Sequence, residues 1–424
     1  NRADFLLADD GRISRIDSSG NPIWSIDSTK SSGPEVPLSG LNKPVTLATP
    51  WRIYPVGTSS YIITDPGADR IVRVDLGGRE IRSIDGLKLD PRFIPDGWNN
   101  NSSKRLRLPR DVVTYTSIVP QGQNPFTNVS GDEYWRHYLI ADQGNFRVIE
   151  LVDRYRYQNR RVGNIVDYVD PQSDAPGQRE QAYGVLLWHT RSEFTGKQFA
   201  YNSIGRIQVK DASNAVRTVY AFGFGNIEPT RASIGLDAPA GTATTESRSG
   251  YGGVLIYDPA RGAQNLLTEF RIPAIPAGKL FDPASNGFAT SPAVAARTAK
   301  FAGLTSVTLR YIGLNQYAVM VTDNSGVYEL VETNPGVWEC VWMLPNNVYR
   351  AMRRRLSDDQ LSQDAPLGFR AFYARRLDSG DVLITNGYVG RKRSGASFAG
   401  EVVLLNGQFD AGGADTDPGF DFNK

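Results

Sequence analysis

A hairpin that ends its first strand in Asp recurs along this chain, and it constrains the fold more than any other feature. Phe5-Leu6-Leu7-Ala8-Asp9 is followed by Arg12-Ile13-Ser14-Arg15-Ile16-Asp17. Tyr61-Ile62-Ile63-Thr64-Asp65 is followed by Arg70-Ile71-Val72-Arg73-Val74-Asp75, and Tyr138-Leu139-Ile140-Ala141-Asp142 by Arg147-Val148-Ile149-Glu150-Leu151. Looser copies are Ala318 to Asp323 with Val327 to Val331, and Val382 to Asn386 with Glu401 to Leu405. Gly253 to Asp258 opens a sixth, blurred by insertions. Val, Ile, Leu and Tyr suit a pleated, packed surface, and the Gly, Asn and Asp residues between the runs tolerate tight turns.

Further strands flank several of these hairpins. Pro22 to Ile26, Arg79 to Ile84 and Val337 to Met343 follow; Asp111 to Ile118, Ser306 to Ile312 and Phe369 to Leu377 precede. Four short antiparallel strands, repeated, predict an all-β fold, a six-bladed β-propeller with long inter-strand insertions. The insertions are expected at 85–105, 119–134, 154–182, 226–250 and 274–300. One short helix is expected over 347–362, where Val348, Met352 and Leu356 recur near one face. The expected organisation is one propeller domain over 1–410 and a Gly/Asp-rich tail over 411–424. The first unit lacks its opening strand and the last a clear closing strand, so the two partial ends are expected to share a blade.

The segments Asp142-Gln143-Gly144-Asn145-Phe146-Arg147-Val148 and Asp65-Pro66-Gly67-Ala68-Asp69-Arg70-Ile71 resemble NHL repeats. In that family an Asp closes one strand and an Arg five positions on opens the next. A guanidinium can then bond the carboxylate across the turn. The expected turn pairs are Asp65 with Arg70, Asp142 with Arg147 and, in shortened form, Asp9 with Arg12. Asp323 and Asn386 lack the Arg, and Asp258 has only Arg261 near it. The segment Ala374 to Asn386 is also similar to blades of quinoprotein-like and sulfotransferase-like propellers. Six-bladed lactonase-type relatives hold calcium in a central tunnel, but no matching Glu/Asn/Asp set occurs here. The expectation is therefore no cofactor, with calcium the ion that such carboxylates would favour.

The chain has two histidines, His137 and His189, too few for the three-ligand set of amidating lyases of this fold type. Both are expected to pack as hydrogen-bonded residues, and no catalytic residue is assigned. Cys340 is the single cysteine, so no intrachain disulfide forms. Strand alternation predicts that it shares a buried face with Trp338 and Trp342. The candidate contact residues are Trp98, in an expected loop, with Arg353 and Arg354 on the expected helix and Arg391 in Arg391-Lys392-Arg393. Asp410 to Asp421 falls short of an EF-hand loop and is expected to be a linker or a docking arm.

With 47 Lys+Arg against 45 Asp+Glu, the balance argues against nucleic acid as the main partner. No apolar run is long enough for a membrane helix. Arginine outnumbers lysine 37 to 10, the loops are rich in Gly, Ser, Asn and Thr, and sequons occur at Asn101 and Asn128. The chain also starts at Asn1. Together these lead to an expectation of export, to the periplasm, cell surface or exterior. The functional expectation is a non-catalytic binding or assembly module that presents loop-decorated faces to a protein or glycan. The alternatives are a central-tunnel metal-dependent hydrolase or lyase of lactonase type, and a subunit of a cell-surface filament or electron-transfer complex.

Overall fold

The structure is a computed structural model of the 424-residue chain. It describes residues 5–9, 12–17, 21–26, 31–32, 45–57, 60–85, 105–123, 132–156, 160–162, 165–167, 188–190, 199–225, 252–261, 263–274, 278–282, 287–291, 293, 295–301, 303–323, 325–345, 369–388, 401–405 and 420–421. Among these the regular structure is β-strand, punctuated by short 3-10 turns. The expected helix over 347–362 lies outside the described residues. The chain divides into two compact units, Asn1–Lys197 and Gln198–Lys424.

In the first unit three four-stranded antiparallel sheets follow one another. Sheet 1 runs Phe5–Asp9, Arg12–Ile16, Pro22–Ile26 and Ser31–Ser32. Sheet 2 runs Arg52–Val56, Ser60–Asp65, Arg70–Asp75 and Glu80–Ile84. Sheet 3 runs Pro109–Val119, Glu133–Asp142, Arg147–Arg156 and Trp188–Thr190.

The second unit repeats the plan. Sheet 4 holds Tyr201–Lys210, Val216–Phe224, Gly253–Asp258 and Ala263–Leu267. Sheet 5 holds Ser306–Gly313, Gln316–Thr322, Gly326–Asn334 and Val337–Pro345. Beyond Val337–Pro345 it is extended by Glu269–Ile272, running parallel, and then Arg297–Lys300. Phe420–Asp421, from the Gly/Asp-rich tail, also pairs with Val337–Pro345, opposite Trp342 and Met343. Sheet 6 has three strands, Phe369–Arg376, Val382–Tyr388 and Glu401–Leu405. The 274–300 stretch, expected as an irregular insertion, carries a hairpin of Gly278–Asp282 with Gly287–Ser291.

Within each unit the sheets stack face to face, and strand alternation decides which side chain serves which neighbour. In sheet 2, Ile62 and Ile71 pack with Val112, Tyr138, Ile140 and Ile149 of sheet 3. Their neighbours Ile63 and Val72 point the other way, against Ile13, Trp24 and Ile26 of sheet 1. Sheet 5 does the same. Val319 and Val321 join Val219, Ala221 and Val254 of sheet 4, while Met320 joins Ala374, Val382 and Ile384 of sheet 6. Burial on both faces explains why these strands read as continuous apolar runs instead of alternating ones. Each fully buried Ile or Val contributes about 1.5–3 kcal/mol of transfer free energy.

One expectation about sheet 5 needs correction. Trp338, Cys340 and Trp342 are all buried, but they do not share a face. Glu329 lies opposite Trp342 and Leu330 opposite Cys340, which leaves Val341 as an extra residue. This β-bulge reverses the alternation. Trp338 and Cys340 therefore pack toward sheet 4, and Trp342 toward sheet 6.

Candidate functional site

The repeated acids sit where a strand ends and the chain leading into the same sheet passes close by. Asp65 is fully buried and opposite Arg70 in the ladder. Its carboxylate accepts the backbone N–H of Ala48 (3.0 Å) and of Thr49 (2.8 Å), and the Arg70 Nε–H (3.3 Å). Arg70 also donates to the Thr46 carbonyl. Asp142 repeats the arrangement. It accepts the Arg107 N–H (2.7 Å), Asn145 Nδ2–H (2.8 Å) and Arg147 Nε–H (2.6 Å), and Arg147 donates to the Arg105 carbonyl (3.1 Å). In both, the guanidinium holds the carbonyl two residues before an amide that the carboxylate holds. Burial raises the Asp142 pKa above its ordinary value, and Arg147, Asn145 and the Arg107 amide oppose the rise.

The turns after these acids are alike as well. Pro66–Ala68 and Gln143–Asn145 are single 3-10 turns, each closed by a residue in left-handed conformation, Asp69 (φ 52°) and Phe146 (φ 53°). Asp69 then accepts the N–H of Leu108 (2.8 Å), where the chain turns into sheet 3. In sheet 1, Asp9 and Arg12 face each other in the ladder, and the Arg12 side chain is exposed.

The second unit departs from this pattern. Asp323 follows the second strand of sheet 5 and accepts the N–H of Ser325 (2.7 Å), its hydroxyl (2.6 Å) and the N–H of Gly326 (3.0 Å). A local turn thus stands in for the missing Arg. Asp258 ends the third strand of its sheet, not the second, so it is not the equivalent of Asp65 and Asp142. It forms an ion pair with Arg217, from the adjacent strand. Arg217 reaches on to Asn315 Oδ1 (3.0 Å) at a hairpin tip of sheet 5.

A different polar group lies on sheet 3, drawn from three neighbouring strands. His137 Nδ1 is 2.8 Å from Glu150 Oε1, and His137 Nε2 is 2.8 Å from Ser117 Oγ. The Tyr115 ring stacks on the imidazole, with centroids 4.2 Å apart and planes 5° from parallel, and its hydroxyl donates to Glu150. Trp135 stands opposite Ser117 in the ladder, its indole N–H held by Glu133 (2.7 Å). His137 and Glu150 are buried and Ser117 is half-buried. The hydrogen-bonded packing expected of His137 is present, but its partners were not foreseen. His189 lies opposite Ile149 in the same sheet.

In sheet 5 the buried Glu329 takes Arg310 (Nη2, 2.7 Å) on one oxygen and Arg376 of sheet 6 (Nε, 2.8 Å) on the other. The Arg376 guanidinium also sits 5.2 Å from the centre of the Trp342 ring. Cys340 is fully buried, which pushes its thiol pKa far up. No group of three His, Cys, Asp or Glu side chains suited to one metal ion occurs among the described residues. Trp98, Arg353, Arg354 and Arg391 lie outside the described residues. No helix among the described residues is long and apolar enough to cross a membrane.

No protein-family profile and no curated protein matches this chain. Among solved structures, one similar chain is a protein of unknown function from Bacteroides caccae. It is 9% identical, with a TM-score of 0.37, over 96% of this chain and 91% of that one. Another is a hypothetical selenium-binding protein from Sulfolobus tokodaii, 12% identical, with a TM-score of 0.37, over 98% of this chain and 74% of that one. At such scores the fold is argued from the chain's own strand pairing, which is all-β with several antiparallel sheets.

Proposed function

We propose that this chain is a six-bladed β-propeller of NHL-like type, exported, serving as a binding or assembly module whose partner is a protein or glycan. One observation carries the reading: the Asp and Arg side chains of two of the recurring hairpins are engaged inside the sheets. Asp65 and Asp142 clamp the chain leading into their own sheets, with Arg70 and Arg147 completing each clamp. Repeated charge of this kind serves architecture, which leaves recognition to the segments inserted between strands. Among the described residues, six sheets of three or more strands, three in each unit, fit one blade each. No cofactor is part of this reading.

Electron microscopy of the purified protein tests the fold. Six wedge-shaped densities around an axis are expected, and an arrangement without rotational pseudosymmetry would overturn it. A glycan array, with co-purification from the native source followed by reconstitution from purified components, tests the role. Binding that survives excision of the 226–250 insertion and of every other long insertion in turn would refute the assignment of recognition to them.

A further inference from the structure

We propose that Ser117, His137 and Glu150 form a nucleophilic relay that hydrolyses uncharged esters, an activity beyond the binding role. The three side chains come from adjacent strands of sheet 3, so the ladder itself fixes their spacing. An ionised Glu150 can only accept, so the 2.8 Å contact places a proton on His137 Nδ1. In the neutral imidazole Nε2 is then bare, and it lies 2.8 Å from the Ser117 hydroxyl. That is the tautomer a general base for serine requires. The stacked Tyr115 ring fixes the plane of the imidazole, and the Tyr115 hydroxyl donates to the same Glu150 oxygen, Oε1, that His137 Nδ1 contacts.

Burial is graded in the useful direction. The base and the carboxylate are buried, while the nucleophile reaches the surface of the sheet. Among the described residues Pro109–Val119 is the terminal strand in the order of sheet 3, so alternate backbone N–H groups beside Ser117 point away from the rest of that sheet. Such groups are the donors that an oxyanion needs. The Trp135 indole N–H is taken by Glu133, so its ring offers Ser117 an apolar flank. This selects an acyl or aryl ester without charge next to the carbonyl.

In the first step Ser117 Oγ bonds to the ester carbonyl carbon as its proton passes to His137 Nε2. The tetrahedral centre collapses, the ester C–O bond breaks, and the leaving alkoxide takes the proton from Nε2. Water then bonds to the acyl carbon as its proton passes to Nε2, the bond from that carbon to Ser117 Oγ breaks, and Oγ takes the proton back as the acid leaves. Ser117 and His137 are the catalytic residues in this scheme, and Glu150 is a positioning residue.

The test uses the full chain, a fluorophosphonate probe and p-nitrophenyl acetate. Mass spectrometry is expected to find the probe on Ser117, and Ser117→Ala, which removes one half-buried hydroxyl, is expected to abolish both labelling and turnover. His137→Gln should slow labelling by roughly 10²-fold or more. Glu150→Gln should slow it as well, with Glu150→Asp recovering part of the rate. A merely structural Glu150 would show losses that follow the melting temperature instead. Absence of label on Ser117, turnover that persists in Ser117→Ala, or labelling indifferent to His137→Gln would each overturn the relay.

Discussion

Thr64 and Thr322 do the same work in different units. Each immediately precedes a buried Asp, and each hydroxyl donates to a backbone carbonyl in the first strand of the following sheet. Thr64 reaches Arg110 O (3.4 Å) and Thr322 reaches Phe372 O (3.3 Å). The second strand of one sheet is thereby tied to the opening of the next. With its proton given to Phe372 O, Thr322 Oγ1 is left to accept from the hydroxyls of Thr305 (2.6 Å) and Ser306 (2.8 Å).

Replacing either threonine with valine keeps the shape and removes the bond. Thr322→Val is expected to cost about 1–3 kcal/mol, because it removes the Oγ1 that the buried Ser306 hydroxyl bonds, while Thr305 keeps the carbonyls of Thr322 and Ala371. Thr64→Val should cost about 1 kcal/mol. Urea unfolding monitored by tryptophan fluorescence measures both, and a Thr322→Val change below about 0.5 kcal/mol would deny the tie.

The two Asp–Arg clamps should differ in sensitivity. The Arg147 side chain is 2% exposed and that of Arg70 is 19% exposed. Arg147→Ala leaves the fully buried Asp142 carboxylate without its countercharge and is expected to cost about 3–5 kcal/mol. Water can reach the Asp65 clamp once Arg70 is trimmed, so Arg70→Ala should cost about 1–2 kcal/mol. Equal losses in thermal melts would contradict the difference in burial.

Close approach explains the glycine two residues after each clamp aspartate. A Cβ on Gly144 would lie 2.6 Å from Arg107 Cγ and 2.9 Å from the Arg107 carbonyl oxygen. Gly144→Ala is therefore expected to destabilise by about 1–3 kcal/mol. Gly122, which has open space around it, provides the control, and Gly122→Ala should leave the melting midpoint nearly unchanged.

Asp211, in the hairpin turn of sheet 4, carries a pH signature. The Ser213 hydroxyl lowers its pKa most, with the Ser213 and Ala215 amides and Arg217 acting in the same sense against a smaller effect of burial. A folded pKa below the unfolded one means that this turn adds stability above the unfolded value and loses it as pH falls through the folded value. Ser213→Ala should move the Asp211 midpoint up toward the ordinary range. Carboxyl NMR titration reads it, and an unmoved midpoint would refute the hydroxyl's role.

The clamp hairpins were legible because both faces of their strands are buried, which leaves unbroken apolar runs such as Tyr61-Ile62-Ile63. The opening hairpin of sheet 4, Tyr201–Lys210 with Val216–Phe224, was missed. Its second strand runs into Gly225, where Leu304 passes too close for any side chain, so no Asp marks its end. The relay on sheet 3 was beyond reach for another reason. Ser117, His137 and Glu150 are brought together by the ladder register, which places Trp135 opposite Ser117 and Leu139 opposite Glu150. Local composition does not carry that offset. The reversal at Val341 was hidden likewise, because a bulge is set by the pairing of two strands and not by one.

Ile62 and Ile63 answer to different neighbours, and so do Val319 and Met320. A single-codon insertion or deletion within such a strand would swap the clientele of two cores at once, delivering each core the other's side chains. Lineages of this protein should therefore vary in length at the connections between strands and hold length constant within them.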